Sequence, residues 1–208
     1  MTGLGNPAMR TLRIGITGPI GCGKSTILGW LAARGALVID ADQVAREVTA
    51  PGSPVVAEIV EAFGPGVAAA GATLDRSALG AIVFNDSDQL RRLEAIIHPV
   101  VRRQILETMR EAEDAGVPII AIEAIRLVEA GYPALLDEVW LVTCDPAAQH
   151  ERLAARGVSP ADVSSRIAAQ TTLVDRVQPV ATRSIDTSGT LAATRTAVEQ
   201  ALAEARPG

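Results

Sequence analysis

The stretch Gly18-Pro19-Ile20-Gly21-Cys22-Gly23-Lys24-Ser25-Thr26 constrains this chain more than any other. Its glycines suit a backbone that must double back, because glycine enters left-handed conformations at no steric cost. Before it runs LRIGIT (12–17), a short apolar stretch with β-branched residues that reads as a buried strand. After it, Ser25 to Arg34 reads as a helix that Gly35 stops. The spacing fits G-x-x-x-x-G-K-[ST] at Gly18, Gly23, Lys24 and Ser25. In that arrangement the loop N–H groups turn inward and the helix start adds donors and the positive end of its dipole. Lysine then reaches the β and γ phosphates of a nucleotide, and the serine hydroxyl binds Mg²⁺. An ordinary glycine-rich strand–helix turn is the alternative. The strand before and the helix after are the context that favours a phosphate cradle.

Composition sharpens the point. The 19 basic residues comprise 18 arginines and one lysine, Lys24. Where the chain uses an ammonium at all, it uses it in the glycine loop, as a compact point charge rather than a planar fork. With 48% apolar residues, 208 residues suffice for one α/β domain with a sizeable core and a subdomain inserted in it. The net charge of −5 argues against a general nucleic-acid binder. No run of 18 apolar residues is present, so no membrane partner is expected. The N-terminus has no secretory pattern; MTGLGNPAMRT reads as a ragged leader, with Met9 as an alternative start. Two cysteines, Cys22 and Cys144, are expected as reduced thiols of a cytoplasmic protein.

Further strands are expected at Leu37–Ile39, Pro118–Ile122 (ending at Glu123), Glu138–Thr143 and Arg183–Asp186. Helical patterns fill most of the rest: 44–48, 54–64, 74–84, 88–99, 100–116, 146–156, 159–170 and 191–205, with a glycine/alanine loop over 64–73. Strands alternating with helices imply a five-stranded parallel sheet covered on both faces, a three-layer α/β fold. The region 43–115 holds no clear strand and reads as a helical insertion. The expected division is a nucleotide-binding core of 9–42 and 116–206, the insertion 43–115, and a small helical lid over 145–170 within the core.

Several other nucleotide enzymes are excluded. A guanine-reading Asn-Lys-x-Asp element needs a second lysine. Asp186-Thr187-Ser188-Gly189 fits D-x-x-G but lies too late in the chain. A small-molecule kinase fits the length and the late arginines. Phosphoryl transfer needs a carboxylate near the acceptor hydroxyl and cations over the moving phosphoryl. Asp40 and Asp42 end the second strand, the edge at which ligands bind in such sheets. One of them is expected to cap the next helix, and Asp42 is favoured as the functional one. Glu123, at the end of the third strand, is placed to support Mg²⁺ through water or to face solvent. Arg152 and Arg156, four apart on one helix, suit either a lid over phosphates or a solvated face. His98 before Pro99 reads as packing or capping, and His150 as solvated.

Taken together, these residues resemble the dephospho-CoA kinase family. The resemblance runs from Arg13 to about the closing helix. Its pieces are RIGITGPIGCGKST (13–26), VIDADQVAREVTAPGSP (38–54), FG (63–64), LDRSALGAIVF (74–84), LEAIIHPVVRR (93–103) and RIAAQ (166–170). The IDAD-x-x-AREV stretch is the most discriminating. The resemblance implies a P-loop kinase fold with a helical acceptor domain. The reaction it implies moves the ATP γ-phosphoryl to the ribose 3′-hydroxyl of dephospho-CoA. It implies Asp42 as base or orienter, Arg46 and His98 at the acceptor site, Arg152 as lid arginine, and the loop Gly18–Thr26 on ATP. ATP and Mg²⁺ are then expected, with dephospho-CoA as partner and the chain a monomer or weak homo-oligomer. The family's Pro-Leu-Leu after the third strand is Ala124-Ile125-Arg126-Leu127-Val128-Glu129 here, which leaves Arg126 either to meet an acceptor phosphate or to face solvent. Its late Ala-Asp reads Ala181-Thr182, and its common Asn is replaced around Asp186-Thr187. A kinase of another nucleoside alcohol and a non-catalytic nucleotide-binding regulator remain the alternatives.

Overall fold

The computed structural model describes residues 10–207 apart from Asn85 and Val158. The leader up to Met9, and with it the choice of start, lies outside the described residues. In chain order come β1 (Leu12–Thr17), α1 (Lys24–Ala32), β2 (Leu37–Asp40), α2 (Ala41–Val48) and α3 (Pro54–Phe63). A small hairpin, β3 (Ala68–Ala69) and β4 (Thr73–Leu74), precedes α4 (Arg76–Val83) and α5 (Ser87–Asp114). The chain closes with β5 (Ile119–Glu123), β6 (Glu138–Thr143), α6 (Pro146–Ala155), α7 (Pro160–Ala168), α8 (Leu173–Val177), β7 (Arg183–Asp186) and α9 (Leu191–Glu204). Two compact units result: residues up to Ile39 with those from Glu111 onward, and Asp40–Arg110.

The first unit is built on a five-stranded sheet of order β2-β5-β1-β6-β7. β1 pairs in parallel with β5 and β6, and β6 with β7. Strands buried on both faces must be apolar almost throughout, and LRIGIT and EVWLVT are. Ile14, Ile16, Ile27, Leu31 and Trp140 are fully buried in one cluster with Val142, Ile185 and Val198. Each such side chain contributes about 1.5–3 kcal/mol on leaving water. The five strands thus lie within a residue or two of where the apolar runs put them.

The second unit has its own core of Val55, Ile59, Val67 and Leu79, with Phe63, Leu74, Leu93, Ile96, Ile97 and Val100 against it. Two expectations are corrected here. The stretch 64–73, expected as a loop, carries the β3–β4 hairpin, with Ala68 opposite Leu74 and Ala69 opposite Thr73. Gly71 and Ala72 make its turn, both with φ in the left-handed region. Two-residue alanine-rich strands leave no alternation to read. The helix expected to end at Pro99 does not: α5 runs through it. An interior proline costs about 3 kcal/mol or more. The stripe Leu93, Ile96, Ile97 and Val100 packs on the core from both sides of the proline, and that burial outweighs the loss.

A third correction concerns the cysteines. Cys22 and Cys144, expected as reduced thiols, form a disulfide with Cα atoms 5.2 Å apart. The topology brings them together: Cys22 lies in the loop after β1, Cys144 follows β6, and those strands are neighbours with Thr17 opposite Leu141. Among the described residues no helix is long and apolar enough to cross a membrane.

Candidate active site

The loop between β1 and α1 is shaped by three glycines with positive φ: Gly18, Gly21 and Gly23. Gly18 is held hardest. A Cβ there would lie 2.0 Å from the carbonyl oxygen of Val142 in β6, and backbone cannot step aside. Gly23 takes a left-handed conformation at the start of α1 and supplies no capping side chain. α2, α3, α4, α7 and α9 each begin on a capping side chain: Asp40, Ser53, Asp75, Ser159 and Thr190. α1 starts without such a side chain, and the Thr26 N–H donates to the Gly23 carbonyl at 3.0 Å; an uncapped helix start behind a glycine loop is an arrangement that can take an anion.

Lys24 is 8% exposed, and its ammonium donates to the carbonyls of Gly18 at 2.8 Å and Pro19 at 3.1 Å. The Glu123 carboxylate, at the end of β5, lies 3.9 Å away. Lys24, Ser25, Glu123, Ile125 and Arg156 line a cavity of about 160 Å³ with the loop residues Ile20, Gly21 and Gly23. A second cavity of about 300 Å³ is lined by Gly23, Thr26, Arg152, Ala155, Arg156, Thr187, Leu191 and Thr194. Gly23 and Arg156 belong to both. The first cavity, with its ammonium, guanidinium and hydroxyl, suits phosphates. The second, larger and more apolar, suits a ribose and base.

α6 and the turn after α7 are tied to the loop. The Ile20 N–H donates to Gln170 Oε1 at 2.7 Å, and its carbonyl accepts from Gln149 Nε2 at 2.6 Å. Arg152, on α6, donates to the Thr187 hydroxyl at 2.9 Å and to the Thr187 carbonyl at 2.5 Å. The neighbouring Asp186 carboxyl is held below its ordinary range, chiefly by the Ser188 hydroxyl at 2.6 Å, then by the Ser188 N–H, with a smaller part from the Arg152 charge.

In the second unit the two aspartates divide their work. Asp40 caps α2 by accepting from the Gln43 N–H at 2.9 Å, and its other oxygen lies 3.6 Å from Arg46. Asp42 stands exposed in the first turn of α2, where the helix dipole favours a negative charge. Arg46 follows one turn later, exposed, with its Nε–H donating to Gln43 at 2.9 Å. His98 is half-buried in α5, one residue before Pro99.

Of the residues named from sequence, the structure gathers Ile20, Gly21, Gly23, Lys24, Ser25 and Glu123 around one cavity, and Thr26 and Arg152 around the adjoining one. Arg126 is exposed in the turn after β5 and lines neither, whereas its neighbour Ile125 does. Asp42, Arg46 and His98 belong to the second unit. Reading the sequence missed Gln149 and Gln170, met Thr187 only as part of a departure from the family's pattern, and gave Arg156 less weight than Arg152 although it lines both cavities. Gln170 closes the RIAAQ stretch, the one signal that pointed to it. Nothing local marks Gln149.

Residues 12–193 match the sequence model of a family described as dephospho-CoA kinase. A curated protein named dephospho-CoA kinase from Moorella thermoacetica is 46% identical over 195 residues, 92% of this chain and 91% of that one. Among solved structures, the Thermus thermophilus protein TT1252 is similar with a TM-score of 0.77 at 33% identity, covering 95% of this chain and 100% of that one. A dephospho-CoA kinase from Campylobacter jejuni shares the fold, with a TM-score of 0.66 at 23% identity over 92% and 96% of the two chains.

Proposed function

The chain belongs to the dephospho-CoA kinase family, and we propose that its phosphate loop, Asp42, Arg152 of α6 and Arg156 just after it divide the work of phosphoryl transfer among them. It is an ATP-dependent kinase that moves the γ-phosphoryl of ATP to the ribose 3′-hydroxyl of dephospho-CoA.

The nucleotide phosphates lie in the Gly18–Thr26 loop, with the Lys24 ammonium on the β and γ oxygens and the α1 N–H groups beneath them. Asp42 accepts the proton of the 3′-hydroxyl. The hydroxyl oxygen bonds to the γ phosphorus as the bond to the β-phosphate oxygen breaks, and ADP leaves. Asp40 serves as the cap of α2, and the place of Asp42 in the IDAD-x-x-AREV stretch supports it as the carboxylate for this step. Arg152 and Arg156 stabilise charge as it spreads over the transferring group, and the α6–α7 segment within 145–170 closes over it and excludes water. The helical region 43–115 receives the acceptor, with Arg46 and His98 on its contact surface and Arg126 in the turn after β5.

Mg²⁺ fits this site as a partner of the nucleotide. It needs only one or two protein oxygens and keeps waters and phosphate oxygens for the rest. Ser25 and Glu123 line the same cavity as Lys24, and no group of three or more His, Cys, Asp or Glu side chains among the described residues is placed to hold a metal without a nucleotide. Ser25 would hold it directly and Glu123 through water. Bound there, the ion draws charge from the phosphate oxygens.

The observation that carries the reading is Lys24: the chain's one lysine, nine-tenths buried in a strand–loop–helix cradle beside Glu123. Its test is ADP release from ATP with and without dephospho-CoA, with the product analysed for a 3′-phosphate. Acceptor-dependent release that yields coenzyme A supports it. Release unchanged by dephospho-CoA contradicts it.

A further inference from the structure

Thr187 ends β7's path into the site and is 3% exposed, yet it meets polar groups from three directions. Arg152 reaches it with two nitrogens: Nη1 donates to its hydroxyl at 2.9 Å and Nη2 to its carbonyl at 2.5 Å. The hydroxyl lies within donating distance of carbonyls of the phosphate loop and of β6, with Cys22 O at 2.9 Å and Thr143 O at 3.2 Å. Its N–H donates to Thr143 O at 2.9 Å, which fixes the backbone that presents the hydroxyl. Thr187, Arg152 and Gly23 share the wall of the 300 Å³ cavity. One small residue therefore joins a lid-side guanidinium to the phosphate loop.

We propose that Thr187 is a positioning residue for phosphoryl transfer, acting through Arg152. The inference rests on the role given to Arg152 above. An arginine side chain samples many rotamers when nothing fixes it. Two bonds to a single buried residue fix the guanidinium plane as well as its place, which one bond cannot do. The hydroxyl is the switchable half of that pair, because the carbonyl stays whatever side chain stands at 187. Its acceptance from a cation is charge-assisted, the stronger class of hydrogen bond. Donation to Cys22 O ties the same oxygen to the loop, so the arginine is aligned against the phosphates' own cradle.

The test is a double-mutant cycle on steady-state kinetics, with Thr187→Val, Thr187→Ser, Arg152→Ala and the combination Thr187→Val/Arg152→Ala. Valine keeps the volume and removes the hydroxyl. Losing a hydrogen bond to a charged group corresponds to roughly tenfold or more in rate. The expectation is a fall of about tenfold in kcat for Thr187→Val, with KM for ATP moving less. Serine should restore kcat, and the valine loss should vanish when Arg152 is already alanine. If the valine loss is as large without Arg152 as with it, Thr187 acts on the loop alone and the inference falls while the arginine's role stands. Wild-type kcat in Thr187→Val, with Arg152→Ala slowed, sinks it in the same way. Wild-type kcat in Arg152→Ala overturns the arginine's role and the inference with it. Should valine fail to fold, Thr187→Ala carries the same expectations, with the folded fraction read from thermal melts.

Discussion

The amide of Ile20, in the phosphate loop, donates to the side chain of Gln170, 150 residues further on, at 2.7 Å. With Gln149 bonded to the Ile20 carbonyl, the segments around α6 and α7 hold one loop residue by both its backbone groups. Removing the Gln170 side chain leaves a part-buried N–H without that acceptor, at a cost of about 1–3 kcal/mol. Gln170→Ala is expected to speed exchange of the Ile20 amide and to raise KM for ATP severalfold while kcat changes less. Hydrogen exchange resolved at the loop checks the first, and steady-state kinetics the second. Unchanged exchange at Ile20 would mean that the bond does not hold in solution.

Lysine at position 24 is expected to resist even its closest replacement. Its ammonium fits between the Gly18 and Pro19 carbonyls with Glu123 3.9 Å away, and a longer, planar guanidinium presents its donors in a different geometry. Both Lys24→Ala and Lys24→Arg should lower kcat by about 10²–10³, the usual cost of losing one fixed charge-stabilising donor. Acceptor-dependent ADP release measures it, and an arginine variant with near wild-type turnover would refute the argument from shape.

Two glycines are expected to respond in opposite directions. Gly18→Ala drives a Cβ to 2.0 Å from Val142 O at a φ of 147°, so the loop must distort and ATP binding should be lost. Gly29, inside α1, meets nothing within 4 Å of an added Cβ. Gly29→Ala should stabilise by about 0.5–1 kcal/mol, since alanine suits a helix interior better. Denaturant melts and nucleotide titrations separate the two outcomes.

The Cys22–Cys144 bond closes a sequence separation of 122. Loop-entropy estimates put the stabilisation from a loop near that size at about 4–5 kcal/mol at most. Protein purified without reductant should weigh two hydrogens less than the reduced chain and lose stability when reduced. Cys144→Ser should melt like the reduced protein. An intact mass that shows two free thiols would contradict the bond.

What could be read from the sequence was local. The phosphate loop is a run of contiguous residues whose backbone angles depend on its own glycines, and LRIGIT and EVWLVT declare themselves as strands because both faces are buried. Asp40 and Asp42 were legible as one cap and one candidate catalyst, and the cap is Asp40. The β3–β4 hairpin was not, because two-residue strands have no period. The unbroken α5 was not, because proline's local preference was overruled by burial on either side of it. Gln149, Gln170, Thr187 and the disulfide depend on chain segments more than 100 residues apart, and nothing in an isolated glutamine or threonine announces such a partner.

In the proposed reaction Asp42 takes the proton of the acceptor hydroxyl. Asp42→Asn keeps the size of the side chain and removes the base. The most direct test measures single-turnover coenzyme A formation by Asp42→Asn alongside its affinity for ATP. The expected result is near wild-type ATP affinity with transfer slowed by about 10²-fold or more, within the range for a positioned base. Transfer at the wild-type rate would contradict it.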